Sequence, residues 1–404
     1  MSPSYDLAAV RGRFPALSRS ENGLSAAYLD GPGGTQVPQS VIDAMSMPLR
    51  EGVSNLGGDF GASRDAERIT DEARAAMARL FNSAPEEIVF GQNMTSLTFA
   101  MSRALARTWE SGDSIVLTSL DHDANFTPWD IAADDSGVYA RVAEFDPATG
   151  LLDPGVVTDL IDATTRLVAV CLASNALGTV VDVASIASAA HEVGALVYVD
   201  AVHAAPHRLI DVAALDCDFL VASSYKFYGP HTGALFGRSE LLDSLDAYKV
   251  RPAPTHGPGK WETGTQSFES LAGVAAAVDH IASLGDGEGR AAVVSAFDAI
   301  GAHERALGQR FIEGVSDLDG VTLFGVPEID DRRVTTFAVA VEGARPEAVA
   351  AEMARRGIYV WAGHYYAVNV MDRLGAPEGL VRIGLCHYNS ADEVDRALEV
   401  LADL

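Results

Sequence analysis

Seven short apolar runs, interrupted by helical patterns, constrain this chain more than any other feature in it. They are Glu86–Gly91, Ser114–Ser119, Ala140–Phe145, Leu167–Leu172, Ala195–Asp200, Phe219–Ser224 and Gly233–Arg238. Ala-rich stretches such as Val183–Gly194 lie between several of them. Strands separated by helices make βαβ units, so the expected class is α/β with a mostly parallel, seven-stranded sheet. In such sheets ligands sit beyond the carboxyl ends of the strands.

Past residue 250 the pattern changes. Arg251–Thr265 is rich in Pro and Gly and predicts a long, mobile loop. Helical spacing follows over Glu269–Gly285. Strands at Val321–Gly325, Arg333–Gly343, Ile358–Gly363 and Leu380–Cys386 then mix with helices at Pro346–Arg356 and Ser390–Leu404. The last helix opens on Ser390-Ala391-Asp392-Glu393, a capping-box signature. At 404 residues the chain exceeds one ordinary core. The expected organisation is a large domain over residues 20–285. A smaller α+β domain would comprise residues 286–404 with the N-terminal segment 1–19.

The net charge of −27 argues against nucleic acid or an anionic membrane as the main partner. Cys171, Cys217 and Cys386 have no CxxC spacing and no metal-like His/Cys pairing. A sparse, odd set suits a reducing cytoplasm, and structural burial is the expectation for each cysteine. The opening residues MSPSYDLAAVRGRFPAL are unlike a signal peptide, and no apolar stretch approaches membrane-spanning length.

The chemistry gathers at the strand ends. One strand ends in Asp200, with His203 just after it. The next ends in Ser223-Ser224-Tyr225-Lys226. An earlier one runs through Asn93 into Met94-Thr95-Ser96 and a helix. Pyridoxal 5′-phosphate (PLP) chemistry asks for such a set. A lysine supplies an imine and a proton shuttle. A carboxylate keeps the pyridine nitrogen protonated. A helix N-terminus with hydroxyls takes the phosphate. Lys226, Asp200 and Met94–Ser96 fit these roles, and Ser223 and Tyr225 add hydroxyl donors. The chain has only three lysines, Lys226, Lys249 and Lys260, so few residues compete for the imine. A lone lysine after a strand is usually a surface residue, and a strand-end Asp is usually a cap; the weight lies in the ordered set. Other doubly wound enzymes share that order, but no GxGxxG follows the early strands, which weakens a nicotinamide-binding alternative.

From Tyr28 onward the chain resembles the class V aminotransferase group of fold-type I PLP enzymes, and most of all cysteine desulfurases and selenocysteine lyases. Tyr28–Pro38 resembles the family's opening strand and its substrate-side turn, here Gly33-Gly34-Thr35. Asp121–Trp129 resembles the segment whose histidine, His122, stacks on the PLP ring and shuttles a proton. Ala173–Thr179 resembles the segment whose Asn175 contacts the phenolic oxygen. His203 sits where the family usually has Gln, and Tyr225 where desulfurases usually have His. Trp261–Ser267 resembles the loop whose threonine, Thr265, reaches the neighbouring subunit's phosphate, which implies a homodimer with shared active sites. Val381–Ser390 carries Arg382, matching the arginine that clamps the substrate carboxylate.

One departure matters more than these matches. Desulfurases carry a sulfur-accepting cysteine after a Gly-His pair, and the matching position in Val360–Val370 is Tyr366. A phenol forms no persulfide, and a pKa near ~10 makes it a poor nucleophile at neutral pH. Tyr365 and Tyr366 either line a substrate pocket with Gly34 and Arg382 or pack beside a dimer loop. The expected function is a PLP-dependent C–S lyase of the β-elimination type. An aminotransferase or epimerase is the alternative outcome, and a non-catalytic PLP-fold binding protein the alternative class.

Overall fold

A computed structural model describes residues 5–21 and 23–404; residues 1–4 of the N-terminal stretch lie outside the described residues. All seven expected runs are strands of one sheet: β1 (Ile88–Gly91), β2 (Ser114–Thr118), β3 (Tyr139–Ala143), β4 (Thr165–Cys171), β5 (Leu196–Asp200), β6 (Phe219–Ser223) and β7 (Gly233–Gly237). Their order is β1-β7-β6-β5-β4-β2-β3. Only β7 runs antiparallel to its neighbours, β1 and β6. Every residue of β2, β6 and β7 is buried, which is why these runs read as continuously apolar. The edge strand β3 is instead largely open to solvent, with only Ala143 buried.

Helix Val183–Glu192 forms where Asp182 caps Ser185 N–H, and it ends before Gly194, whose φ of 77° an L side chain resists. Three helices go beyond the expected pattern: Gln39–Glu51, Gly61–Phe81 and the 28-residue Gly289–Ser316. The first two pack against helix Phe268–Ala282, and the third runs on to a second sheet. That sheet has four antiparallel strands: β8 (Val321–Phe324), β9 (Thr336–Val341), β10 (Trp361–Gly363) and β11 (Leu380–Gly384), in the order β8-β9-β11-β10. Its core joins Phe311, Phe337, Ile383 and Val394. Ser390 caps helix Ala391–Ala402 through a capping box with Glu393.

Three expectations need correction. The run Arg333–Gly343 becomes a strand only at Thr336, because just before it Arg333 and Val334 pair instead with Thr179 and Gly178, Val334 N–H donating to the Gly178 carbonyl at 2.9 Å. The run Ile358–Gly363 splits in two, since Ile358–Tyr359 pairs in parallel with Ala27–Tyr28 and only β10 joins the smaller sheet. The Arg251–Thr265 loop is pinned along Lys260–Glu262. Lys260 Nζ donates to the Asp243 carbonyl at 2.7 Å, Trp261 Nε1 to the Leu242 carbonyl at 2.9 Å, and Arg74 pairs with Glu262 at 2.7 Å. Among the described residues, no helix is long and apolar enough to cross a membrane.

Candidate active site

The carboxyl ends of β4, β5 and β6 border an inner cavity of about 720 Å³, which also takes in the start of helix Met94–Leu105. Asp200 closes β5 and is buried. Its Oδ1 accepts the Val202 N–H at 2.8 Å, and burial pushes its pKa up to about 6 despite that bond and nearby Lys226. Asn93 caps the helix by accepting Ser96 N–H at 2.9 Å, and this helix start, with Thr95, borders one end of the cavity. Ser223 ends β6, and its hydroxyl accepts the Met94 N–H at 3.0 Å, tying that helix start to the sheet.

Lys226 follows on a short 3₁₀ turn, Ser224–Lys226. Its Nζ donates to the Pro32 carbonyl and lies 4.9 Å from the Tyr225 ring centroid. Burial, reinforced by the positive charge of Arg382, lowers its pKa to about 7, with Asp200 and Asp30 opposing. Lys249 and Lys260 are engaged elsewhere, at the carbonyls of Ala253 and of Leu242 and Asp243. Of the three lysines only Lys226 lines the cavity.

His122 stands opposite, holding its orientation by accepting the Ala124 N–H on Nδ1 at 3.0 Å. Burial, then the charges of Lys226 and Arg382, push its pKa down to about 3, so the ring is neutral. His203 Nε2 shares a 3.0 Å hydrogen bond with Thr336, and burial likewise keeps this ring neutral. Tyr225 stacks on His231, ring centroids 4.8 Å apart.

An outer cavity of about 930 Å³ continues from Lys226 and His122 towards solvent. The smaller sheet supplies Arg382, on β11. Its Nη1 donates to the Asn175 carbonyl at 2.9 Å, its guanidinium lies 4.4 Å from the Tyr365 ring centroid, and its Nε is buried without a partner. Among the described residues Arg382 forms no ion pair, so a buried cation stands ready for an anion. Asn175 donates from Nδ2 to the Tyr365 carbonyl at 3.0 Å, while its Oδ1 is buried and unpaired. Tyr366 is 66% exposed at the mouth and stacks on His122 with centroids 5.6 Å apart. The main chain holds it there: the Tyr366 carbonyl accepts the Asp123 N–H at 2.7 Å.

The fold thus gathers Met94, Thr95, His122, Asn175, Asp200, His203, Ser223, Tyr225, Lys226, Tyr366 and Arg382 around one continuous space. Two expected residues lie off it. Gly34 packs against Tyr225, where an added Cβ would come within 3.1 Å of the ring, and Gly33 forms the wall in its place. Thr265 is exposed and borders neither cavity of its own chain. Sequence reasoning missed Asp30, Asp121, His231 and Trp361. Asp121 is buried, accepts from Asn125 at 2.7 Å, and is pushed up to about 8 by burial. An acid directly before His122 was the available signal. Asp30, Trp361 and His231 had none, because long-range packing alone brings them in.

PLP fits the residues present. The inner cavity offers a helix N-terminus to a phosphate, the buried Asp200 to a ring nitrogen and a partly neutral Lys226 to an aldehyde. The unpaired Asn175 Oδ1, on the lining of both cavities, is a buried polar atom that a ligand donor would satisfy. A fold-type I PLP-dependent enzyme is the class that this sheet and this site define. The family model for aminotransferase class-V matches residues 27–397. The chain belongs to the class-V aminotransferase family. It is 32% identical to a cysteine desulfurase of Serratia proteamaculans (strain 568), over 97% of each chain. The apo cysteine desulfurase of Thermococcus onnurineus NA1 superposes with a TM-score of 0.90 at 27% identity, over 98% of this chain and 97% of that one. A further fold neighbour, with TM-score 0.81 at 19% identity over 98% of this chain and 99% of its own, carries glycine covalently linked to its PLP.

Proposed function

We propose that this protein is a β-eliminating C–S lyase that releases a thiol from a cysteine derivative without passing sulfur to a cysteine of its own. The observation that carries this reading is Tyr366, solvent-exposed at the cavity mouth and stacked on His122. Cys217 and Cys386 are buried away from the cavity lining. Cys171 borders only the inner, Asp200 side, and burial holds its thiol well above the ordinary range, hence protonated.

Bound PLP supplies the electron sink for a bond broken at the substrate α-carbon. The chain supplies the rest. Lys226 would hold the cofactor through its amine and, with that amine free, would take the substrate α-proton; an amine with a pKa near 7 suits both tasks. Arg382 binds the α-carboxylate, and its Asn175 contact fixes the guanidinium plane. Asp200 would hold the ring nitrogen, and His122, neutral and stacked on Tyr366, would pack against the bound cofactor and substrate from the opposite wall. The Cβ–S bond breaks with its electron pair passing to sulfur, which leaves as thiolate and is protonated. The three-carbon remainder takes up water and departs as pyruvate and ammonium.

The same frame supports assembly and location. We assign residues 20–285 to cofactor binding and residues 286–404 with 1–19 to the unit that brings Arg382. A homodimer with shared sites is favoured by the exposed Thr265 and by the exposed apolar residues Leu49, Phe60, Tyr248 and Val250. Light scattering on the eluted holoenzyme tests it, and a monomer overturns it. Three buried free cysteines suit the cytoplasm.

The deciding assay offers the holoenzyme cysteine and its S-conjugates and follows pyruvate, thiol, alanine and protein persulfide. Pyruvate with free thiol supports the lyase. Alanine with a protein persulfide overturns it, and accumulation of pyridoxamine phosphate moves the reading to a transaminase.

A further inference from the structure

Resting on the lyase reading, the outer cavity specifies what the sulfur carries. Its volume of about 930 Å³ lies in the range that holds a drug-sized ligand, far more than one methylene and one sulfur need. Its outer wall is aromatic. Trp361 on β10 and Tyr366 are 54% and 66% exposed, yet both border this space. Each is held in place by backbone. The Trp361 indole lies on Gly33, where an added Cβ would come within 2.3 Å of Nε1, so only glycine admits the ring at that depth. Tyr365 and Tyr366 have φ values of 51° and 57°, a left-handed pair uncommon outside glycine. That conformation puts Tyr365 over Arg382 and leaves Tyr366 on His122 at the mouth.

Charge adds a second constraint. Glu347 and Glu378 border the same space from the smaller sheet's side, both exposed, and neither forms an ion pair among the described residues. Arg382 is the only arginine on the lining and sits at its inner end, where the α-carboxylate belongs. Asp123 also borders this space, so a distal anion would meet three carboxylates, with Arg382 and Lys226 confined to the inner end.

We propose that the substrate is a cysteine S-conjugate whose sulfur carries a bulky aromatic group without negative charge, with Trp361 and Tyr366 as the residues that select it. Stacking against both rings rewards an aromatic substituent, and the acidic mouth rejects an anionic one.

The test compares S-methyl-, S-benzyl-, S-(4-carboxybenzyl)- and S-(4-aminomethylbenzyl)-L-cysteine on the holoenzyme, by kcat/KM for thiol release and by calorimetric affinity. S-benzylcysteine is expected to exceed S-methylcysteine by about tenfold or more in both, because the ring gains contacts that a methyl lacks. The carboxybenzyl conjugate should fall about tenfold below its aminomethyl counterpart. Trp361→Ala should collapse the benzyl-to-methyl ratio towards one, and Trp361→Phe should restore most of it. Glu347→Gln should narrow the gap between the two charged conjugates. A benzyl-to-methyl ratio within about twofold of one, or a ratio unmoved by Trp361→Ala, overturns the inference even if pyruvate forms. If no conjugate yields pyruvate, the lyase reading falls, and the calorimetric ratios still decide the selectivity.

Discussion

Lys226 shows how a single side chain acquires its chemistry from surroundings. An amine attacks a carbonyl only when neutral, and burial beside Arg382 brings its pKa from 10.5 to about 7. The folded pKa is lowered, so the neutral amine is present above about pH 7 and is lost as pH falls through it. Capture of added PLP by cofactor-free protein should therefore speed up with pH and level off above about 7, followed by the visible absorption of the adduct. A rate still climbing beyond pH 9 would contradict this. Arg382→Ala removes a neighbouring positive charge, so the midpoint should move upward. Lys226→Ala should abolish the adduct and lower turnover by at least about 10²–10⁴-fold, since one amine serves both anchoring and proton transfer. An adduct persisting in that variant would mean Lys249 or Lys260 is the true anchor. The expectation for Lys226 rested on its place in the ordered set with Asp200 and Met94–Ser96 and on the scarcity of lysines, and of the three lysines it is the one that lines the cavity. Its pKa was not, because Arg382 lies 156 residues away in the chain and reaches it only through packing.

Between elements, close approach of backbones decides the site's shape. Gly384 ends β11, and its N–H donates to the Leu29 carbonyl at 2.8 Å. An added Cβ at Gly384 would lie 2.0 Å from Pro32 Cδ. Pro32 in turn accepts from Lys226 Nζ. Gly384→Ala must therefore push the Gly31–Gly33 turn away from the cavity. The expected cost is about 1–3 kcal/mol of stability, as for overpacking of a tight core. Urea denaturation reads that cost, and a fall in kcat/KM should accompany it; unchanged values for both would show that the turn yields freely. The inner strands of the main sheet were legible because burial on both faces writes a continuous apolar signal, while the exposed edge strand β3 was read from its short β-branched run. The break at Thr336 and the split at Val360 were not, because each follows from which partner strand is within reach.

Across the whole molecule, a buried polar link ties the two sheets' units together. His207, just beyond the Asp200 strand, shares a 2.8 Å hydrogen bond through Nδ1 with Glu304 on the long helix Gly289–Ser316. Thr335, at the entrance to β9, donates to the same carboxylate at 3.2 Å. Glu304→Ala should cost about 1–3 kcal/mol for each buried partner left unsatisfied, read by equilibrium urea unfolding. Glu304→Gln, which keeps an amide in place, should recover part of it. A loss in Glu304→Ala below about 0.5 kcal/mol would show that water replaces the carboxylate.

The sequence by itself determined the α/β class, the order along it of the residues that come to line the cavity and the tyrosine at position 366. The first two are local, carried by hydrophobic runs and by residues a few positions from a strand end, whereas the reading of Tyr366 comes from the resemblance to desulfurases. Only the tertiary structure decided which residues share the space with Lys226. Trp361 comes from a different sheet, as does the Arg382 that the family resemblance had named, and Gly33 instead of Gly34 forms the wall. No periodicity records such meetings, because they depend on how two sheets pack against each other across a shared cavity.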